Sequence, residues 1–133
     1  MDDAAYPWGY DPLVEGNAMR EVVVIPVRPD GGVGSGWGKA PRVAVAIVED
    51  GAITDWQEHE VDWDRLHDEG GEGAHHARIV RFVREQQATR IVVHHMGAPM
   101  QHTLGLLGLT VTLGAAGDAR AAILATAPGL EAR

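Results

Sequence analysis

Residues 89–97, Thr-Arg-Ile-Val-Val-His-His-Met-Gly, carry the reading that decides the fold. Ile91-Val92-Val93 is a short apolar strand that ends at His94-His95. Gly97-Ala98-Pro99 then opens a helix, with Pro99 suited to the first helical position because its missing N–H has no partner to lose there. On the N-terminal side, Ile79, Phe82 and Val83 recur at helical spacing. Arg78, Arg81 and Arg84 occupy other faces, so an amphipathic helix is expected from Ala74 to about Gln87. On the C-terminal side, Leu104, Leu106 and Leu107 continue the second helix, and Gly108 stands where a left-handed terminating glycine belongs. Leu109–Leu113 is a further strand. Asp118 can cap a last helix running to Ala127, which Pro128 ends.

The upstream half has a different rhythm. Glu21–Val27 (Glu-Val-Val-Val-Ile-Pro-Val) is a β-branched, buried-strand pattern. A second strand fits Arg42–Val48. Glu49-Asp50-Gly51 carries the Asp-Gly signature of a tight hairpin turn into a third strand, Ala52–Val61. The order β-β-β-α-β-α-β-α implies an α/β fold: a mixed sheet whose strands run parallel on the strand–helix side. Residues 1–20, with Tyr6, Trp8 and Tyr10, read as an extended N-terminal arm. Residues 21–127 form a single α/β domain, and 128–133 a tail.

Composition narrows the chemistry. The chain has 133 residues, no cysteine, 11 basic and 19 acidic side chains, and a formal net charge of -8. Disulfides, thiolate zinc sites, cysteine-ligated clusters and cysteine nucleophiles are therefore excluded. An acidic balance counts against unspecific binding to nucleic acid or an anionic membrane, both of which draw on surplus Lys and Arg. Lys39 is the only lysine. The N-terminal Met1-Asp2-Asp3 lacks the basic, then apolar, pattern of a signal peptide, and the apolar runs are strand-sized, so a cytoplasmic protein is expected.

Soft-metal chemistry falls to seven histidines and four methionines. In α/β sheets, ligands bind beyond the carboxyl ends of parallel strands, where helix N-termini point. That edge gathers His67 in an acidic loop (62–73), His75 and His76 at the start of the first helix, His94 and His95 after the fourth strand, and His102 near the start of the next helix. Only His59, inside a strand, is left aside. Imidazole suits zinc, copper, iron and nickel, and a helix N-terminus also favours an anionic ligand. Successive side chains on a strand alternate faces, so His94 and His95 share one site only if the chain bends. A lone loop histidine such as His67 is ordinarily solvated, and no HExxH spacing occurs.

Other signals are weaker. The glycine-dense loop 31–38 has neither the GK[ST] ending nor GxGxxG spacing before a helix. Trp37 within it reads as a lid or a core anchor. The carboxylates Asp62, Asp64, Asp68, Glu69 and Glu72 form a solvated face or supply one hard ligand. Ser35 has no base partner. Met96 and Met100 flank the start of the second helix as core residues or thioether ligands.

Taken in order, these segments resemble a known family. Trp37-Gly-Lys-Ala-Pro41 followed by a strand and Glu49-Asp-Gly51, then Gly71-Glu-Gly-Ala-His-His76 opening a helix, are similar to motifs of the dinitrogenase iron–molybdenum cofactor biosynthesis family, with its NifX/NafY-type cluster-binding domains. Thr89–Gly97, a helix, and Gly108-Leu-Thr-Val-Thr-Leu-Gly114 resemble that family's tail. The likeness covers about residues 21–126. It implies a ribonuclease H-like three-layer fold with sheet order 3-2-1-4-5 and helices on both faces. It also implies binding or carriage of an iron–sulfur or iron–molybdenum cluster without catalysis, at His75 or His76 and at Met96-Gly97. Two departures stand out: His94 and His95 replace small glycines before Met96-Gly97, and Gly36 stands where many members place a histidine. Strand one holds no aspartate for a two-metal nuclease site.

The sequence thus points to a metal- or metallocluster-binding carrier or accessory protein acting with a client or donor protein. Its metal ligands would be His75, His76, His94 and His95 with His67 in support, and Trp37, Met96 and Gly97 would contact the cargo. A single transition metal is the other cargo. A small metal-dependent enzyme with a loop carboxylate such as Glu72 as base, and an interaction module without metal, are the alternatives.

Overall fold

A computed structural model describes residues 20–126. The expected arm, 1–20, lies outside the described residues apart from Arg20, which begins the first strand, and so do Ala127 and the expected tail, 128–133. Five strands form one sheet in the order β3-β2-β1-β4-β5. They are β1 (Arg20–Pro26), β2 (Arg42–Glu49), β3 (Ala52–Glu60), β4 (Arg90–Val92) and β5 (Thr110–Thr112). The helices are α1 (Trp63–Leu66), α2 (Gly71–Glu85), α3 (Ala98–Leu106) and α4 (Ala119–Ala125). This is the mixed α/β sheet order the resemblance implied.

Local chemistry accounts for the connections. Asp50 and Gly51 take φ of 53° and 83°, the left-handed pair that lets a two-residue turn follow the twist of its strands. β2 and β3 pair antiparallel from Arg42↔Glu60 to Glu49↔Ala52, with a bulge beside Ile47 and Val48. β1 pairs antiparallel with β2 and parallel with β4, and β4 pairs parallel with β5. β1, β3, β4 and β5 therefore point the same way, and their carboxyl ends share one edge with the start of β2.

Strand alternation sorts the apolar residues into two cores. Val22, Val24, Val43, Val45, Ile91 and Val93 face α1–α3, meeting Trp63, Ile79, Val83, Met100 and Leu104. Val23, Ile25, Ala44, Ala46 and Val92 face α4 through Ala119, Ala122 and Ile123. Helices thus cover both faces, and burying each large aliphatic side chain contributes roughly 1.5–3 kcal/mol. Asp118 accepts a hydrogen bond from the Ala121 amide at 3.0 Å, which is the expected cap of α4. Gly108, at φ 88°, closes α3 as anticipated. Among the described residues no helix is long and apolar enough to cross a membrane.

The segment 62–73 departs from the expected open loop. Trp63 donates its amide to the Ala40 carbonyl and nucleates the single turn of α1. Its indole is buried edge-on against Trp37, centroids 5.1 Å apart, and against Phe82 at 5.7 Å. α2 then starts at Gly71 rather than Ala74, behind Gly70 at φ 80°. His75 and His76 consequently sit in its second turn, past the amides that would greet an anion.

Candidate functional site

The shared carboxyl edge carries two adjoining clefts. The larger, about 540 Å³, lies between the 26–42 segment, including the glycine loop, and His95-Met96-Gly97. The smaller, about 320 Å³, lies between α1, α2 and α3 and is lined by His67, Asp68, Glu72, His75, His76 and Met100. Trp37, Gly38 and Gly97 belong to both. Trp37 is therefore a wall between them. It is 2% exposed, so of the two sequence readings it acts as a core anchor rather than a lid.

The histidines divide between these places. His95 is exposed and lines the larger cleft beside Met96, which is buried. His94 lines neither cleft, as strand alternation predicts. Its Nδ1–H donates to the Ala115 carbonyl at 3.2 Å, because a carbonyl only accepts. His76 and His67 line the smaller cleft. The Thr103 hydroxyl donates to the Pro99 carbonyl at 3.1 Å, so His76 Nε2–H donates to Thr103 Oγ1 at 3.0 Å and leaves Nδ1 bare. His67 Nδ1 faces the Asp68 carboxylate at 3.1 Å, and its ring centroid lies 6.3 Å from that of His75.

His75 differs from the rest. Arg78, which can only donate, reaches its Nδ1 at 2.8 Å. Its Nε2 lies 2.6 Å from the Gly38 carbonyl. Both ring nitrogens are engaged and the ring is buried. His59 packs edge-on against Phe82 at 5.4 Å, and His102 is an exposed residue of α3.

The edge does gather imidazoles, but the four expected ligands do not converge. Among the described residues no three His, Asp or Glu side chains stand together as a metal-ion site. What converges on the larger cleft is positive charge. Arg28, Lys39 and Arg42 line it together with His95. Arg28 pairs with Asp30 at 3.2 Å, and Arg42 with Glu58 at 3.2 Å and Glu60 at 2.7 Å. The Gly32 amide and then Arg28 hold the Asp30 carboxyl below its ordinary value. Lys39 is exposed and makes no ion pair among the described residues. Sequence reasoning passed over this basic rim, although a sole lysine directly after a glycine loop of an acidic chain was a usable sign. It also missed Arg78, three residues after His75 and hence on the same helix face.

A mixed five-stranded sheet covered on both faces, with a cation-rimmed cleft at its carboxyl edge, defines a small α/β domain. The chain belongs to the dinitrogenase iron-molybdenum cofactor family, whose profile it matches over residues 19–129. That family is concerned with binding or biosynthesis of the iron–molybdenum cofactor. Among solved structures, the chain is similar to PH0822, with 20% identity, a TM-score of 0.64, and coverage of 84% of this chain and 92% of the other. It is also similar to mj0327 from Methanocaldococcus jannaschii, described as a candidate dinitrogenase, with 7% identity, a TM-score of 0.60, and coverage of 84% and 91%. Identities this low speak for the fold alone. No curated protein matches in sequence.

Proposed function

We propose that this domain is a carrier that takes up an iron–molybdenum cofactor, or an iron–sulfur precursor of it, as cargo in the larger cleft and passes it to a client protein. The observation that carries this reading is the cleft itself: about 540 Å³, open at its rim, and edged by an exposed imidazole and three cations. Metal–sulfide clusters are anionic and soft. Lys39 balances charge beside Arg28 and Arg42, which are paired with carboxylates, His95 supplies a nitrogen ligand, and Met96 offers a thioether. Gly97 and the glycine loop let backbone approach the cargo closely, with Trp37 as a rigid floor. His76 and His67 serve from the adjoining cleft, each with one ring nitrogen not engaged by the partners described above. His94 contributes nothing directly. One nitrogen ligand without a thiolate gives a hold that can be released, as a carrier requires, and the domain, residues 21–127, needs no catalytic group.

Anaerobic titration of the purified protein with isolated iron–molybdenum cofactor, followed by absorption and metal analysis, tests this. Stoichiometric binding is expected, reduced at least tenfold in His95→Ala and unchanged in His94→Ala. No binding by the wild type removes the carrier reading, and equal binding by all three proteins removes the site.

A further inference from the structure

His75, on α2, lines the smaller cleft and reaches Gly38, which lines both clefts, and its chemistry there is not that of a ligand. Arg78 is a guanidinium with donors only, so the 2.8 Å contact makes His75 Nδ1 an acceptor. The proton of the neutral ring is then on Nε2, which donates to the Gly38 carbonyl at 2.6 Å. Arg78 Nη1 also donates to the Leu66 carbonyl at 3.0 Å. A single run of hydrogen bonds therefore ties the end of α1 through Arg78 and His75 to Gly38, the residue after the Trp37 wall. Gly38 is half-buried and makes no other side-chain hydrogen bond among the described residues. Coordination through either ring nitrogen would break this run.

We infer that His75 is a positioning residue, not a metal ligand: held in the Nε2–H tautomer by Arg78 on one side and the Gly38 carbonyl on the other, it fixes that carbonyl and with it the wall that shapes the cargo cleft. The cargo part rests on the carrier reading above; the tautomer and the fixed wall do not. A glutamine can replace both roles, with its amide N–H toward Gly38 and its carbonyl oxygen toward Arg78, yet it is a poor substitute for imidazole as a ligand. His75→Gln therefore separates the two roles.

The test has two arms. In the cargo-free protein, long-range ¹H–¹⁵N NMR should show His75 as the Nε2–H tautomer, and Arg78→Met, which removes the bond into Nδ1, should move the Nδ1 resonance toward that of an unbonded acceptor nitrogen. An Nδ1–H tautomer, or an Nδ1 resonance unmoved by Arg78→Met, overturns the inference even if the wild type takes up no cofactor. In anaerobic titration with isolated iron–molybdenum cofactor, His75→Gln should bind within about twofold of wild type and His75→Ala at least tenfold more weakly. Binding lost equally in both variants makes the imidazole a ligand, and binding kept in His75→Ala removes the positioning role. Should His75→Ala fail to fold, His75→Gln and the NMR arm still decide. Failure of the wild type to bind, with the NMR result as expected, counts against the carrier reading alone.

Discussion

Lys39 shows how much one side chain can set at this edge. Of the three cations around the larger cleft, Arg28 and Arg42 are committed to carboxylates, and Lys39 supplies charge with no competing acid among the described residues. Lys39→Gln is expected to weaken cofactor uptake roughly three- to tenfold at low salt, and the difference should shrink as added salt screens exposed charges. Titrations at two ionic strengths check this. The residue scale is also where sequence reading reached its limit. The ends of parallel strands place His95 and Met96 at the edge without any coordinates. Which ring nitrogens are bare depends on partners 27 residues away for His76 and 21 for His94, pairings that only the folded chain brings about.

The elements were more legible, because their signals are local. The β-branched run of β1, the Asp-Gly turn, the glycine ending α3 and the aspartate opening α4 each act within a few residues. Asp118→Ala should destabilise the domain by about 1 kcal/mol through the lost cap of α4, measured by urea unfolding. α1 escaped notice because four residues are too few to show a period, and burial of Trp63 depends on Trp37 across the chain. The β2–β3 hairpin carries a pH dependence. The Trp56 indole N–H, 3.0 Å from Glu58, and secondarily Arg42 hold the Glu58 carboxyl below its ordinary value. A carboxylate depressed in the folded state stabilises above its unfolded value and loses that contribution as pH falls through the folded one. The stability gap between wild type and Glu58→Gln should accordingly close on acidification from about pH 7 to about pH 3.

At the scale of the whole molecule, the sheet between the two helical layers carries a buried polar contact at one end. Arg90, 1% exposed, donates to both Glu21 oxygens at 2.9 and 3.1 Å and to the carbonyl and hydroxyl of Thr126 just past α4. Neighbouring strands and the layer behind them are thereby locked at the end opposite the cargo edge. Arg90→Met, which leaves the partly buried Glu21 carboxylate unpaired, should cost about 3 kcal/mol, the lower end of what breaking a buried pair costs, in denaturant unfolding while sparing the geometry of the cleft. The strand order lay beyond propensity, since β1 meets β4 across some seventy residues, as the 69-residue separation of the Glu21–Arg90 contact measures; the family resemblance supplied it. The rarity of lysine has a practical side as well. Because Lys39 is the chain's one side-chain amine and stands at the mouth of the larger cleft, an amine-reactive dye or cross-linker has a single side-chain address here. The chain thus comes with its own attachment point for a reporter of filling and emptying, joined by reductive alkylation so that the nitrogen keeps its charge.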